Sequence, residues 1–394
     1  MKKYHFIYAC SFFYIFGHNV LNFSLIYRLR DMFSFSTGQI GAYIAFGNFF
    51  FFLGCIIYYR FGTAFNPSKI LPISTTAVFL ASIPLGYFRV LSPVYVSFWL
   101  LMFSTSLFWP PILAWLTEGL SGNELSSKIS YFSRSCMAAL IIAPPVAGQL
   151  YQFNSDINFI VVSLCFFISV FLILFARRSP EEHNDEKKGL CLPAKPSDDG
   201  KQNPIPLHPD KKLDHFRYVA WIGSFCSIVF IGVLINILPI HIRDTMGYTE
   251  GTAGWILFTR CVAAFAGFIL LAKYTSWHFN FRWFFILHAG LMFCAVLFLL
   301  AGSQLYLYFG IVVLYGLINA AIGTKSIFYS RATGKNPKKN ITIHEMFHCA
   351  GAAAGSAGGG LLYQHFGFAG ICLALLLMLS LVAGVFVIIR RKSH

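Results

Sequence analysis

The sequence predicts an all-helical membrane protein that crosses the bilayer twelve times, in two six-helix bundles of similar structure. Three observations predict this fold class. The 394 residues are 57% hydrophobic and only 11% charged, with a mean hydropathy of +0.66, whereas a soluble globular chain carries about 25% charged residues. Apolar segments of spanning length recur along the chain. Their sequences also repeat from the first half to the second.

Twelve apolar segments are long enough to cross a bilayer, since a spanning helix needs about 20 residues. Helices are expected because a spanning segment must satisfy its own backbone hydrogen bonds, and these segments are too long for barrel strands. We number them spans 1 to 12. They are predicted at 6–27, 38–59, 70–87, 94–116, 129–151, 159–176, 218–240, 251–271, 283–300, 305–328, 341–363 and 368–389.

One long polar stretch, from Arg177 to Asp214, divides the spans six and six. It contains six prolines among clustered charges, which is typical of a solvated linker. The predicted domains are therefore an N-terminal bundle over residues 1–176, a cytoplasmic linker over 177–214 and a C-terminal bundle over 215–394.

The distribution of Lys and Arg predicts the orientation in the membrane. With a cytoplasmic N-terminus, 23 of the 30 basic residues fall on the cytoplasmic side, three fall inside spans, and four fall on the opposite side, namely Arg28, Arg30, Arg89 and Arg243. Cytoplasmic loops carry such an excess, so both termini and the linker are expected in the cytoplasm, and the chain in the cytoplasmic (inner) membrane. The net charge of +15 is spread over many loops, so no nucleic-acid partner is predicted.

The two halves repeat each other at an offset of 213 residues, which becomes 212 further along the chain. Such a parallel repeat is the sign of two similar bundles. The matched segments are Leu25–Asp31 with Leu238–Asp244, Ser36–Gly41 with Thr249–Gly254, and Gly148–Gln152 with Gly360–Gln364.

Spans 5 and 11, which the repeat relates, each carry small residues at every fourth position. Such stripes let two helices approach closely in lipid. Span 5 has Ala139, Ala143 and Ala147, and span 11 has Gly351, Gly355 and Gly359. Span 5 also contains Pro144, Pro145 and Gly148, which we include with the glycines of span 11 as structural motif residues.

The chain resembles the major facilitator superfamily (MFS) of transporters over essentially its whole length. Ser36–Gly41 is similar to the usual start of the second helix, and Ala143–Gly148 is similar to the family's Gly-Pro-x-x-Gly element. Arg60-Phe61-Gly62 resembles the Arg-x-Gly core of the loop after the second helix, but Tyr59 stands where the family has Asp. Segments of spans 4 and 11 resemble an uncharacterised bacterial branch. The resemblance implies alternating access, with spans 1, 4, 7 and 10 lining a central cavity.

Arg260 is the most deeply placed charge in the sequence, about 13 Å into span 8 at 1.5 Å per residue. A charge at the bilayer centre costs about 2.5–3.5 kcal/mol. It is therefore expected either to contact an anionic group of a substrate or to be capped by carbonyls between the halves. The resemblance adds further candidates for substrate contact in spans 1, 4 and 7, with helix packing as the alternative: His18, Asn22, Trp109 and Asn236.

Glu345 is the one carboxylate well inside a predicted span. A buried carboxylate is the simplest proton carrier, because proton uptake and loss change its charge. Proton coupling through Glu345 is one hypothesis. The alternative is a permanent charge pair with Lys325 or Arg134, which lie at similar depth.

Residues 344–348 read His-Glu-Met-Phe-His, the His-Glu-x-x-His pattern of zinc proteases. A protease also needs a third metal ligand, yet no Asp or Glu follows Glu345, and His365 lies at the other end of the same span.

Nine of the ten cysteines lie in apolar runs and are expected to be packing residues. We therefore predict no metal, no cofactor and no enzyme activity, and keep zinc proteolysis only as a remote alternative.

The predicted function is secondary transport of a small solute by alternating access, without ATP. The specific hypothesis is symport of an organic anion with protons, and the alternative is efflux of drugs or metabolites by proton antiport. A membrane sensor is disfavoured because the linker is too short and too rich in proline to be a folded domain. The expected partners are a small-molecule substrate and the lipid bilayer, and the expected state is a monomer.

Overall fold

The computed structural model describes residues 2–61, 66–117, 122–178, 211–272, 277, 280–332 and 337–392. Regular structure in these ranges is helical, as the sequence predicts. The helices are α1 (Lys2–Phe33), α2 (Thr37–Phe61), α3 (Pro67–Tyr87), α4 (Leu91–Ser106), α5 (Trp109–Thr117), α6 (Gly122–Phe153), α7 (Ser155–Arg178), α8 (Lys211–Asn236), α9 (Leu238–Ile240), a π-helical turn (His241–Thr245), α10 (Glu250–Ala272), α11 (Arg282–Ala301), α12 (Leu305–Ala332) and α13 (Pro337–Lys392).

We call α1–α7 the N-half and α8–α13 the C-half. Residues 179–210, most of the predicted linker, lie outside the described ranges. Large apolar side chains point outward from the helices, as Leu300 shows at 74% exposed and Phe153 at 85%. Outward apolar surface of this kind faces lipid in a membrane protein.

Spans 4 and 7 are each interrupted by a break in the helix. In span 4, α4 ends at Ser106 and α5 begins at Trp109. Pro110 and Pro111 follow at once, in the first turn of α5, where their missing backbone N–H groups need no partner. In span 7, α8 ends at Asn236, and Pro239 occupies the first turn of α9.

The described residues contain eleven helical stretches long and apolar enough to cross a membrane, rather than the twelve predicted. The difference lies in α13, where predicted spans 11 and 12 run together as one apolar stretch, Asn340–Ile389. Gly367 interrupts this stretch with a non-helical backbone, φ 66° and ψ −167°. Glycine adopts such a positive φ without steric cost, so helical backbone continues on both sides of a single residue.

Two helix pairs join the halves: α2 packs against α13, and α6 packs against α10. The sequence repeat exchanges these pairs, because it relates span 2 to span 8 and span 5 to span 11. Within the N-half α1 packs on α6 and α7, and within the C-half α8 packs on α13 and α12. The same type of helix-to-helix contact therefore occurs twice between the halves.

Glycines allow the helices in both of these pairs to approach each other closely. A Cβ atom on Gly148 would lie 2.6 Å from the carbonyl oxygen of Glu250 in α10. In the pair of α2 with α13, a Cβ atom on Gly360 would lie 2.6 Å from the carbonyl oxygen of Thr37 in α2. Gly148 and Gly360 are the same position of the repeat, so glycine is required twice for one reason: two backbones touch.

The glycine stripe of span 11 faces α8 of its own half. A Cβ atom on Gly351 would lie 2.9 Å from the carbonyl oxygen of Phe225, and one on Gly355 would collide with the carbonyl of Val229. Close approach of two helices is what the stripe predicts, and its partner is α8.

Candidate functional site

A small pocket of about 20 Å³, room for about one water molecule, lies between the two halves. Helices α1 and α6 line it from the N-half, and helices α8 and α10 line it from the C-half. The lining residues are Asn19, Asn22, Phe23, Pro144, Ile235, Leu257, Arg260 and Cys261. Both halves therefore contribute to one site.

Arg260 brings the charge to this pocket. Its side chain is 8% exposed, and Nη2 donates to Sγ of Cys261 at 3.1 Å. Nε is buried and has no partner, and within the described ranges no carboxylate forms an ion pair with this guanidinium. A guanidinium has five N–H donors in a planar fork that matches carboxylate and phosphate. The pocket therefore has unused donors suited to an anion.

The predicted polar residues of α1 lie at or near the pocket. Asn22 lines it directly. His18 lies one helical turn earlier, and its Nδ1 is buried without a partner. Asn19, which the sequence analysis did not select, also lines the pocket, and its amide nitrogen donates to the carbonyl of Ile15 at 2.9 Å. Its side-chain oxygen remains available to accept a hydrogen bond.

Two other predicted contact residues lie in helix packing instead of in this pocket. Asn236 is 7% exposed, and its amide nitrogen donates to Oγ of Ser356 at 2.7 Å, which joins α8 to α13. Trp109 packs edge-on against Tyr14 and Phe132, with ring centroids 6.0 Å and 6.5 Å apart.

Glu345 lies on the face of α13 that is turned toward the N-half. Cys349, one turn further on, contacts Cys55 of α2, and the backbone of Ser356, three turns on, packs against Gly41 of α2. Residues four apart share a helix face, so Glu345 points into the space between the halves. Its side chain is exposed there.

The predicted basic partners of Glu345 have other contacts. Lys325 is 1% exposed, lies 4.0 Å from the centroid of the Phe284 ring and donates to the carbonyl of Asn280 at 3.3 Å. Arg134 is exposed and lies over the ring of Tyr131 at 5.4 Å. No ion pair links either of them to Glu345 in the described part of the chain.

The His-Glu-x-x-His histidines are held by serines. Nδ1 of His344 lies 2.8 Å from Oγ of Ser326, and Nε2 of His348 lies 2.7 Å from Oγ of Ser224. Among the described residues, no group of three His, Cys, Asp or Glu side chains could hold a metal ion. The two imidazoles thus join α13 to α8 and α12.

A cluster of charges that the sequence does not predict lies at the end of the molecule opposite the linker. Arg30 and Asp31 lie in the last turn of α1, while Arg243 and Asp244 lie in the π-helical turn, and they form ion pairs across the two halves. In the sequence these four residues support the repeat, and Arg30 and Arg243 also support the orientation, but no ion pair among them is predicted. The signal that reveals them is an Arg-Asp pair at the same place in both repeats.

A scan against protein-family models decides the family. The model of the Major Facilitator Superfamily matches residues 7–324 and 220–394. The chain belongs to this superfamily. The resemblance seen in the sequence is therefore confirmed. No curated protein matches the chain.

Solved MFS-type transporters share the fold at low sequence identity. A bacterial homolog of the human lysosomal transporter Spinster, inward-facing and occupied, is 13% identical with a TM-score of 0.73, covering 100% of this chain and 97% of its own. A variant of the peptide transporter POT in complex with sulfate is 15% identical, TM-score 0.72, covering 99% and 95%. The nucleoside transporter NupG is 12% identical, TM-score 0.70, covering 99% of each chain. Family and fold indicate a transporter rather than an enzyme.

Proposed function

We propose that this MFS protein is a secondary transporter that takes up a small organic anion together with protons. The observation that carries the proposal is Arg260, a buried arginine with unused donors, in a pocket built by both halves. A carboxylate or phosphate there relieves the burial cost of the cation, because charge-assisted hydrogen bonds replace those that Arg260 would make in water.

The other polar groups of the pocket complement this ligand chemistry. Asn22 presents an amide that donates or accepts, and His18 one turn away has a buried ring nitrogen without a partner. A substrate that bridges Arg260 and these α1 residues contacts both halves at once. Contact with both halves is what couples substrate binding to their relative movement in alternating access.

Glu345 supplies the proton site in this proposal. It faces the N-half, is reached by solvent, and has no ion pair in the described structure. Moving one elementary charge against 100 mV costs about 2.3 kcal/mol. A proton carried on Glu345 offsets the charge of the anion, so the inward step does not work against the membrane potential.

We propose twelve membrane crossings for this cycle, with both termini in the cytoplasm. The apolar stretch of α13 has 50 residues, which at 1.5 Å per residue is about 75 Å, more than twice the roughly 30 Å of bilayer hydrocarbon. Gly367 lies near its middle and is its one non-helical residue. Two crossings that meet at Gly367 accommodate this length.

A ligand screen on the purified transporter tests the function. A set of small carboxylates and phosphates, with neutral and cationic analogues of the same size, is added to the protein, and its melting temperature is recorded. Stabilisation by anions alone, lost in Arg260→Gln and kept in Arg134→Gln, is the expected result. Stabilisation by cations, or an anion effect that survives in Arg260→Gln, overturns the proposal.

A further inference from the structure

A second pocket lies within the N-half, at the end opposite the linker. Its volume is about 180 Å³, several times what one water molecule needs. We call it the N-half pocket, and it is formed by α1, by the end of α3 with the loop after it, and by the start of α7. The lining residues are Arg28, Gly86, Tyr87, Arg89, Asp156, Phe159 and Ile160. All of them belong to the N-half, so this pocket is distinct from the one that contains Arg260.

Arg28 is the buried cation of the N-half pocket. Its side chain is 3% exposed, Nη1 donates to Oδ1 of Asp156 at 3.1 Å, and Nη2 donates to the carbonyl oxygen of Gly86 at 2.6 Å. Its Cζ atom lies 4.5 Å from the centroid of the Phe159 ring. A guanidinium has five N–H donors, so three remain without a partner among the described residues, that of Nε included. A buried cation with unused donors favours a further anionic acceptor.

Arg89 adds a second positive charge to the pocket. It lies in the loop between α3 and α4, is exposed, and forms no ion pair within the described ranges. Asp156 is the one acid among the lining residues. Two arginines against one aspartate leave the lining with net positive charge, and the N-terminus of α7, which begins at Ser155, adds a partial positive charge.

The N-half pocket lies at the level where the hydrocarbon of a bilayer gives way to headgroups. Predicted spans 1 and 3 end at residues 27 and 87, and predicted span 6 begins at residue 159, so the lining residues stand at three span boundaries. The rim carries outward apolar side chains, since Tyr87 is 65% exposed and Ile160 is 50% exposed. Tyrosine is enriched at this depth in membrane proteins. A ligand with a charged head and an apolar tail matches such a site.

We propose that the N-half pocket binds the phosphate of an anionic phospholipid from the leaflet on the side opposite the linker. The phosphate accepts hydrogen bonds from Arg28 and Arg89, and the acyl chains lie along Tyr87 and Ile160. The sequence places only four basic residues on this side, and two of them line this one pocket. A headgroup with net negative charge is preferred to a zwitterionic one because the lining has net positive charge. The bound lipid joins α1, α3 and α7 and thereby stabilises the N-half.

Lipid titration of the full-length protein in detergent tests the proposal. The probes are dioleoyl phosphatidylglycerol, dioleoyl phosphatidylcholine with the same acyl chains, and inorganic phosphate as a soluble source of the same group. Native mass spectrometry measures lipid retention, and the melting temperature measures stabilisation. We expect phosphatidylglycerol to bind about tenfold more tightly than phosphatidylcholine, because its headgroup brings no cation to a positive pocket. Equal binding of the two lipids, or an equal stabilisation by inorganic phosphate that Arg89→Gln removes, overturns the lipid assignment.

Arg89→Gln removes one positive charge of the pocket without breaking an ion pair of the described structure. We expect about tenfold weaker binding of phosphatidylglycerol, the effect of losing a charge-assisted hydrogen bond. The matched control is Arg282→Gln at the start of α11, an exposed arginine at the linker end that also forms no ion pair within the described ranges. It should bind the lipid as the parent does. Equal losses in the two variants would show a general attraction of charge and overturn the site.

Asp156→Asn gives an effect of the opposite sign. It removes the acid that competes with the phosphate for Arg28, so phosphatidylglycerol should bind about threefold more tightly. The melting temperature of the lipid-free protein should fall, because the ion pair with Arg28 is lost. If the pair is only structural, stability falls and lipid binding does not tighten. That result overturns the proposal.

Discussion

At the end opposite the linker, the N-half and the C-half place the same residue types against each other, whereas in the interior they do not. Arg260 of the C-half occupies the repeat position of Gly47 in the N-half, where a Cβ atom would meet the ring of Phe98. Glu345 occupies the position of Ser133. The pocket is therefore charged from one side and supplied with neutral amides from the other.

The comparison shows two demands on a duplicated fold. Where the halves meet, Arg30 faces Asp244, which is the neighbour of its repeat counterpart Arg243. The same residue types on both halves are therefore self-complementary, as in an isologous dimer interface. A small substrate has no two-fold symmetry. A site that binds it gains from different groups on its two sides, which the unequal interiors provide.

The first prediction concerns the small-residue stripes, where the halves differ in one methyl group per position. Gly355 corresponds to Ala143 at the offset of 212. Gly355→Leu should cost about 3 kcal/mol of stability or prevent folding, because the side chain would enter the backbone of Val229. Ala143→Gly is the matched change in the N-half and should cost about 1 kcal/mol. Thermal unfolding in detergent measures both, and unchanged melting of Gly355→Leu would contradict the packing of the stripe on α8.

The second prediction sharpens the contrast between Glu345 and its counterpart Ser133. Glu345→Gln keeps the shape and hydrogen-bonding capacity of the side chain but cannot carry a proton. We expect substrate binding within about twofold of the parent, with uptake into proteoliposomes no longer driven by a proton gradient. Ser133→Ala should keep gradient-driven uptake. If Glu345→Gln still responded to the gradient, the proton site would have to lie elsewhere.

The third prediction separates pocket amides from packing amides. Asn22→Ala should weaken binding of the anion found in the screen about tenfold, because a hydrogen-bonding group of the pocket is lost. Asn236→Ala should lower stability by about 1 kcal/mol through the lost bond to Ser356, with binding within about twofold of the parent. Equilibrium binding and melting temperature report the two effects separately. If Asn22→Ala lowered only stability and Asn236→Ala weakened binding, the substrate would be bound at Asn236 rather than at Asn22.

The last prediction concerns the orientation in the membrane, and its expected result is an absence of labelling. Cys191, in the predicted linker, should not react with an impermeant thiol reagent added outside intact cells, and should react once the membrane is opened. The prediction depends on the 23-to-4 distribution of basic residues. Reaction from outside would reverse the orientation.

By itself, the sequence determined the helical membrane fold, the family and the approximate positions of the helices, although α1, α6 and α8 each extend six or seven residues beyond the predicted spans. These follow from local properties: the bilayer requires long apolar helices, and proline and glycine mark their breaks. It also determined that two halves repeat. It separates spans 11 and 12 around Gly367, where the structure has one residue of non-helical backbone and no polar loop between two helical stretches.

Only the tertiary structure decided which polar residues meet. Arg260 and Asn22 are 238 positions apart in the sequence and line one pocket, while Asn236, of the same residue type as Asn22, is used in helix packing. Helix periodicity tells which residues share a face but not which face meets which neighbour. The reciprocal pairing of Arg30 with Asp244 and of Arg243 with Asp31 likewise depends on how two whole bundles dock, since attraction between charges acts across space and not along the chain.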